Sequence, residues 1–152
     1  MSHFERDNDS FLLEKLRNTH LPFIWDVQKS EPYITWSKRQ FIESYDNVYA
    51  LVSGNNEIVG FTVILENPPD AEIHNLFICN ELRGRGLGKI LLEQAIQMMS
   101  AEVENLYLEV SEDNNIAIGL YKGFGFEEIG TRKNYYRKGS TVSNAIIMHL
   151  LI

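Results

Sequence analysis

The sequence predicts an α/β fold: one mixed sheet carrying helices, formed by a single domain over residues 11–152 behind a flexible N-terminus over 1–10. Three observations predict it. Leu106, Leu108 and Val110 alternate with Tyr107 and Glu109, the two-residue period of a strand with one buried face. Leu87, Ile90, Leu91, Ala95, Met98 and Met99 recur at spacings of three and four, the period of a helix with one apolar stripe. Between strand-like and helix-like segments lies Arg83-Gly84-Arg85-Gly86-Leu87-Gly88, a glycine-spaced crossover of the kind that joins strands to helices in α/β sheets.

The elements follow in order. Phe11 to Arg17 reads as a first strand. Thr19 or His20 caps a helix running to about Ser30, with Pro22 in the first turn, where its missing N–H costs nothing. Ser37 caps a second, short helix that turns Phe41 and Ile42 inward. Val48–Val52 and Ile58–Leu65 form a hairpin about Gly54-Asn55-Asn56. Pro68-Pro69-Asp70 interrupts the chain before the strand Ala71–Ile78. A helix starts at about Gly86, and the strand around Leu106–Val110 follows it. Asn114 and Asn115 cap a short helix through Tyr121 that ends at Gly123 or Gly125. Phe126–Tyr136 and Ala145–Leu151 are the last strands, joined at Gly139-Ser140.

Composition narrows the function. The net charge of -7 argues against broad nucleic-acid binding, which rests on a basic surface releasing counterions. Arg83, Arg85 and Lys89 nonetheless make a local basic patch. Arg132, Lys133, Arg137 and Lys138 read as a solvated hairpin face. The single cysteine, Cys79, forms no intramolecular disulfide and supplies no metal cluster. No metal is expected. The acidic N-terminus lacks a signal-peptide core and no apolar run reaches membrane-spanning length, so a cytoplasmic protein without a membrane partner is expected.

The glycine loop carries the first chemical information. Three glycines in five residues let the backbone turn sharply and bring several N–H groups to bear on one anion. The following helix adds its unpaired amides and the positive end of its dipole. A Walker loop is excluded because Ile90 follows Gly88-Lys89, and a dinucleotide fingerprint needs glycine where Lys89 stands. The loop alone is open to two readings, a pyrophosphate cradle or a glycine-rich helix start with two solvated arginines.

Further motifs decide between them. Arg83-Gly84-Arg85-Gly86-Leu87-Gly88 resembles the Q/R-x-x-G-x-G/A loop of the GNAT acetyltransferases. Leu108-Glu109-Val110, Asn114 and Leu120-Tyr121-Lys122-Gly123-Phe124-Gly125-Phe126 resemble that family's next segments, in the right order. Within the family the chain is most similar to the bacterial RimI type, which acetylates the N-terminal alanine of a small-subunit ribosomal protein. That similarity spans about Leu12 to Leu151 and is densest from Glu72 to Tyr136. The resemblance implies a mostly antiparallel mixed sheet with splayed fourth and fifth strands, and acetyl-coenzyme A as cosubstrate. It implies a base at Glu109 and an acid at Tyr121. It places the acetyl-pantetheine arm along Leu76, Phe77 and Ile78, the pyrophosphate on Gly84, Arg85, Gly86, Leu87, Gly88 and Lys89, and a further contact at Asn114. The implied acceptor is a protein N-terminus or another amine, such as one on a ribosomal protein. Two positions depart from the family pattern: Ser111 stands where a basic residue is common, and Ser143-Asn144 where an acidic pair is common.

The residue types suit acetyl transfer, which needs a neutral amine and a proton donor for the departing sulfur. An α-amine (pKa about 8) loses its proton far more easily than a lysine (about 10.4), so a positioned carboxylate suffices as base. Glu109 is also readable as a solvent-facing strand residue, and Glu72 and His74 share a face of the preceding strand from which either can act as the base or contact the substrate. A tyrosine is protonated at neutral pH and can donate to a thiolate, although Tyr121 also fits a core position. Tyr135 and Tyr136 alternate, so one of the two is expected to line the peptide slot. Besides direct N-terminal acetylation, two alternatives stand: acetylation of a lysine or small-molecule amine, and a noncatalytic acyl-coenzyme A binding module.

Overall fold

A computed structural model describes residues 10–138 and 140–152. Residues 1–9 of the loose end expected over 1–10, and the turn residue Gly139, lie outside the described residues.

The chain runs β1 (Leu12–Lys15), a 3-10 turn (Asn18–His20), α1 (Leu21–Ser30), α2 (Lys38–Glu43), β2 (Val48–Val52), β3 (Ile58–Asn67) and β4 (Asp70–Ile78). After the glycine loop come α3 (Leu87–Met98), β5 (Asn105–Ser111), α4 (Asn115–Phe124), β6 (Glu127–Lys138) and β7 (Thr141–Leu151). The strands form one seven-stranded sheet in the order β1-β2-β3-β4-β5-β7-β6. Every neighbouring pair is antiparallel except β4 and β5, which the α3 crossover makes parallel.

Helices cover the sheet on two faces. On one, α3 and α4 bury Leu87, Leu91, Leu92, Ala95 and Tyr121 against Ile73, Leu106 and Leu108. On the other, α1 and α2 bury Ile24, Val27 and Phe41 against Val48, Ala50, Phe61 and Val63. Two inward assignments made from periodicity do not hold. Ile42 is 58% exposed, because neighbouring helical residues point about 100° apart and the six-residue α2 turns only Phe41 into the core. Met98 is 41% exposed at the last residue of α3, and the extended residue Met99 fills the core in its place.

The splay of β4 and β5 is present and has a local cause. Their ladder runs from Asp70↔Asn105 to Ile73↔Leu108 and stops. On the other side of β4, His74 pairs with Val63 and Phe77 with Phe61, so Asn75 and Leu76 together oppose Thr62. This bulge bends β4 away from β5. Asn75 adopts the left-handed φ of 54° that asparagine tolerates, and Thr62 Oγ1 donates to the His74 carbonyl at 3.0 Å. Gly60 permits the strands to close again beyond the bulge, since a Cβ there would lie 2.4 Å from the Phe77 carbonyl oxygen.

His20 gives the fold a pH dependence. It is 4% exposed, and its Nδ1 accepts the Arg17 amide at 3.0 Å. Burial, with the Arg17 guanidinium adding to it and Glu14 opposing, pushes its pKa below the usual 6.5. The folded state therefore holds this proton more weakly than the unfolded chain, and stability falls as pH drops through 6.5 toward the lowered folded value. The urea midpoint should decrease between about pH 7.5 and 5.5, and the decrease should shrink in His20→Gln.

Candidate active site

Where β4 and β5 part, two cavities lie side by side. A groove of about 500 Å³ is lined by Leu76, Phe77 and Ile78 on β4, by Gly84, Gly86, Leu87, Gly88 and Lys89, and by Asn114 at the start of α4. A slot of about 50 Å³ between the strands is lined by His74, Glu109, Tyr121, Tyr135 and Tyr136. The two share Tyr33, Ile34, Leu76 and Asn114.

The glycine loop is built to present amides. Gly84 (φ 80°) and Gly86 (φ 77°) are left-handed, and a Cβ on either would meet nothing within 4 Å, so backbone conformation and not crowding demands glycine there. Gly86 precedes α3, whose first hydrogen bond is Ile90 N–H to the Gly86 carbonyl at 3.2 Å. The amides of Leu87, Gly88 and Lys89 consequently have no carbonyl within the helix, and these residues line the groove. Gly88 also lets α3 approach α4: a Cβ there would lie 2.8 Å from Leu120 Cδ2. Arg83 also lines the groove, donating from Nε to the Ile78 carbonyl at 3.0 Å with its guanidinium over the Phe77 ring. Arg85 is exposed and does not line the groove.

Glu109 projects from the face of β5 opposite the buried Leu108 and Val110. Its carboxylate oxygens accept from Arg132 Nη1 at 3.0 and 3.3 Å. The same guanidinium lies 4.3 Å from the centre of the Tyr135 ring. The Tyr136 hydroxyl donates to the Glu109 backbone carbonyl at 3.3 Å. Tyr121 is buried, and that burial raises its pKa well above the usual 10. Burial raises Tyr136 likewise, with Tyr135, Glu109 and Tyr121 adding to it. Both phenols are thus hydrogen-bond donors at neutral pH. His74 Nε2 stands 3.1 Å from Glu72 Oε2 and its ring lies beside Trp36, while Glu72 itself points outward, beyond both cavities.

The expectation that only one of Tyr135 and Tyr136 reaches the slot is corrected: both line it. Strand alternation fails because Arg132 pairs with Ala145 and Tyr136 with Ser143, leaving two extra residues in β6, with Asn134 at a left-handed φ of 57°. The two departures from the family pattern turn out to be neighbours, since Ser111 Oγ and Ser143 Oγ are 2.9 Å apart and buried. A hydroxyl pair occupies the place where the family commonly has groups of opposite charge.

A splayed sheet, an amide cradle and a slot with one carboxylate and four tyrosines suit an enzyme that takes an acyl group from a phosphate-bearing carrier. The profile of the Acetyltransferase (GNAT) family matches residues 13–126, and the chain belongs to that family. It is an acetyl-coenzyme A dependent N-acetyltransferase, which sets aside the noncatalytic alternative. The chain is 31% identical over 140 residues to the [ribosomal protein bS18]-alanine N-acetyltransferase of Salmonella typhimurium, covering 90% of this chain and 95% of the relative. It is also 31% identical to the putative [ribosomal protein bS18]-alanine N-acetyltransferase of Bacillus subtilis, covering 92% and 95%. The crystal structure of the ribosomal-protein-S18-alanine N-acetyltransferase from Escherichia coli superposes with a TM-score of 0.80 at 28% identity, over 93% of this chain and 94% of that one. These relatives agree with the RimI-type resemblance.

Two parts of the site carry no signal in the sequence: Arg132, which reads there as hairpin surface, and the α1–α2 connection bearing Tyr33 and Trp36. A guanidinium 23 residues from its carboxylate gives no local signal. Replacing Gly86 tests the cradle: Gly86→Ala should raise the KM for acetyl-coenzyme A by about 5–30-fold, the equivalent of about 1–2 kcal/mol of left-handed strain, with the acceptor KM little changed. Among the described residues, no group of three or more His, Cys, Asp or Glu is placed to hold a metal, and no helix is long and apolar enough to cross a membrane.

Proposed function

We propose that this protein acetylates the α-amino group of a protein N-terminus, with the alanine terminus of a ribosomal protein of the bS18 kind as its substrate. The observation that carries the reading is the junction at Leu76 and Asn114, where the wide groove meets a narrow slot holding Glu109 and two protonated phenols. The left-handed glycines and the free amides of α3 suit a pyrophosphate, with Lys89 adding positive charge. When bound there, acetyl-coenzyme A supplies the activated acyl carbon.

Leu76, Phe77 and Ile78 lie where β4 has lost its β5 partner, so backbone donors facing the gap are available to align the pantetheine arm and polarise the acyl carbonyl. Glu109 draws the acceptor ammonium into the slot and takes one of its protons, directly or through water. The nitrogen lone pair then forms the C–N bond as the C–S bond breaks. Tyr121 offers its hydroxyl hydrogen to the sulfur as negative charge builds, and the second amine proton leaves to solvent as the amide forms. The acceptor competes with Arg132 for Glu109, while Tyr135, Tyr136 and the His74–Trp36 pair wall the slot. A ribosomal substrate places the enzyme in the cytoplasm.

Peptides with a free N-terminus, compared with N-terminally blocked peptides containing lysine, test the proposal by coenzyme A release. The difference in amine pKa predicts a kcat/KM preference of about two orders of magnitude for the free terminus at neutral pH. Preference for the blocked peptides would instead favour a lysine or small-molecule acceptor.

A further inference from the structure

The helix layer formed by α1 and α2 stops at β4. Its core takes buried residues from β2, β3 and β4 and none from β5, β6 or β7, so the same face of the sheet is open beyond β4. Register sets what this open face presents. Glu72, Tyr107, His149 and Glu127 are paired in succession across β4, β5, β7 and β6, and residues opposite one another in paired strands share a face. Asp70 and Asn105 form the next row, away from the slot, while Glu109 lies two residues along β5 in the other direction, at the slot itself.

These rows are built and acidic. Asp70, Glu72 and Glu127 are exposed. The Tyr107 and His149 rings are half-buried with centres 5.0 Å apart. His149 Nε2 is 2.8 Å from Asn105 Oδ1, and Asn105 Nδ2 donates to Asp70 Oδ1 at 3.2 Å. Among the described residues of the two rows there is no lysine or arginine. The aromatic centre offers a platform, and the carboxylates around it carry charge that nothing in these rows balances.

We propose that this face docks the acceptor chain just beyond its amine and selects lysine or arginine at about the third to fifth acceptor residue. The proposal rests on the reading of the slot as the acceptor-amine site. Spacing gives the positions: an extended chain advances about 3.3 Å per residue, the same rise as β5, so an acceptor whose amine meets Glu109 lays its third residue over the Glu72–Tyr107 row and its fifth over the Asp70–Asn105 row. Because the carboxylates are exposed, the selection acts mainly on encounter and binding and weakens with salt.

Three peptides with a common first two residues, carrying lysine, alanine or glutamate at positions three and five, test this against the wild-type enzyme. The expected order of kcat/KM is lysine, alanine, glutamate, with about a tenfold span at low ionic strength, carried by KM and largely lost at about 0.5 M salt. In Glu72→Gln/Glu127→Gln, with a melting temperature matching wild type, the span should shrink to about threefold or less. Equal use of the three peptides by wild type, or a span unchanged in the double variant, overturns the docking surface and leaves the amine-site reading standing. Absence of turnover on every free-amino peptide overturns both.

Discussion

Glu109→Gln is expected to lower kcat by about 10²–10⁴-fold, the usual contribution of a positioned general base, with the KM for acetyl-coenzyme A within about twofold of wild type. The amide keeps the size of the side chain and retains one oxygen to accept from Arg132, so the slot keeps its shape. It loses the negative charge that gathers an ammonium and the basicity that removes its proton. Raising the pH toward and beyond the α-amine pKa, about 8, should restore part of the rate, because the acceptor then arrives neutral without help. A kcat within about threefold of wild type at neutral pH would move the base elsewhere, with His74 and its partner Glu72 next in line at 3.1 Å from each other. Arg132 makes the experiment more informative. Its guanidinium donates to both carboxylate oxygens at 3.0 and 3.3 Å, so an incoming ammonium must share the carboxylate or displace the arginine onto the Tyr135 ring, 4.3 Å away.

Tyr121→Phe is expected to reduce kcat by about 10²-fold or more while changing stability by about 1 kcal/mol or less, since one hydroxyl is removed from a ring that stays packed against Phe126. The role behind that loss is narrower than simple acid catalysis. Burial raises the phenol well above 10, whereas an ordinary thiol titrates near 8.5, so outright transfer of the proton from oxygen to sulfur runs uphill. The role proposed for Tyr121 is therefore a hydrogen bond to the sulfur as its charge develops. The sign of the pH effect follows from the raised value: the hydroxyl stays protonated to higher pH than an ordinary tyrosine. The kcat profile of the wild type should therefore show no alkaline fall from this residue between about pH 7 and 10, and a tyrosine-like decline centred near 10 that disappears in Tyr121→Phe would contradict it.

Much of the site was legible because its signals are local. Left-handed backbone calls for glycine whatever surrounds it, and Gly84 and Gly86 both occupy that region. A helix needs a polar cap, and Asn114 supplies one, accepting from the Ala117 amide at 3.3 Å. Strand alternation put Glu109 opposite Leu108 and Val110. The same reasoning failed at Tyr135 and Tyr136, where alternation presumes an unbroken ladder and β6 carries a bulge. It failed at Met98 because an apolar stripe cannot say where the helix runs out of sheet to cover.

The sequence by itself determined the order of elements, the amide cradle, the family resemblance and the residue types at Glu109 and Tyr121, all of which depend on contacts within a few residues of chain. The tertiary structure decided what those residues face. It paired Arg132 with Glu109 across 23 residues and brought Ser111 to Ser143 across 32. It parted β4 from β5 at Ile73 and Leu108, and left the acidic rows that run from β4 across β5 and β7 to β6 uncovered. These outcomes follow from strand register and bulge placement, which are set by which distant segments pack together, and a register shift of one residue would turn Glu109 from the slot into the core.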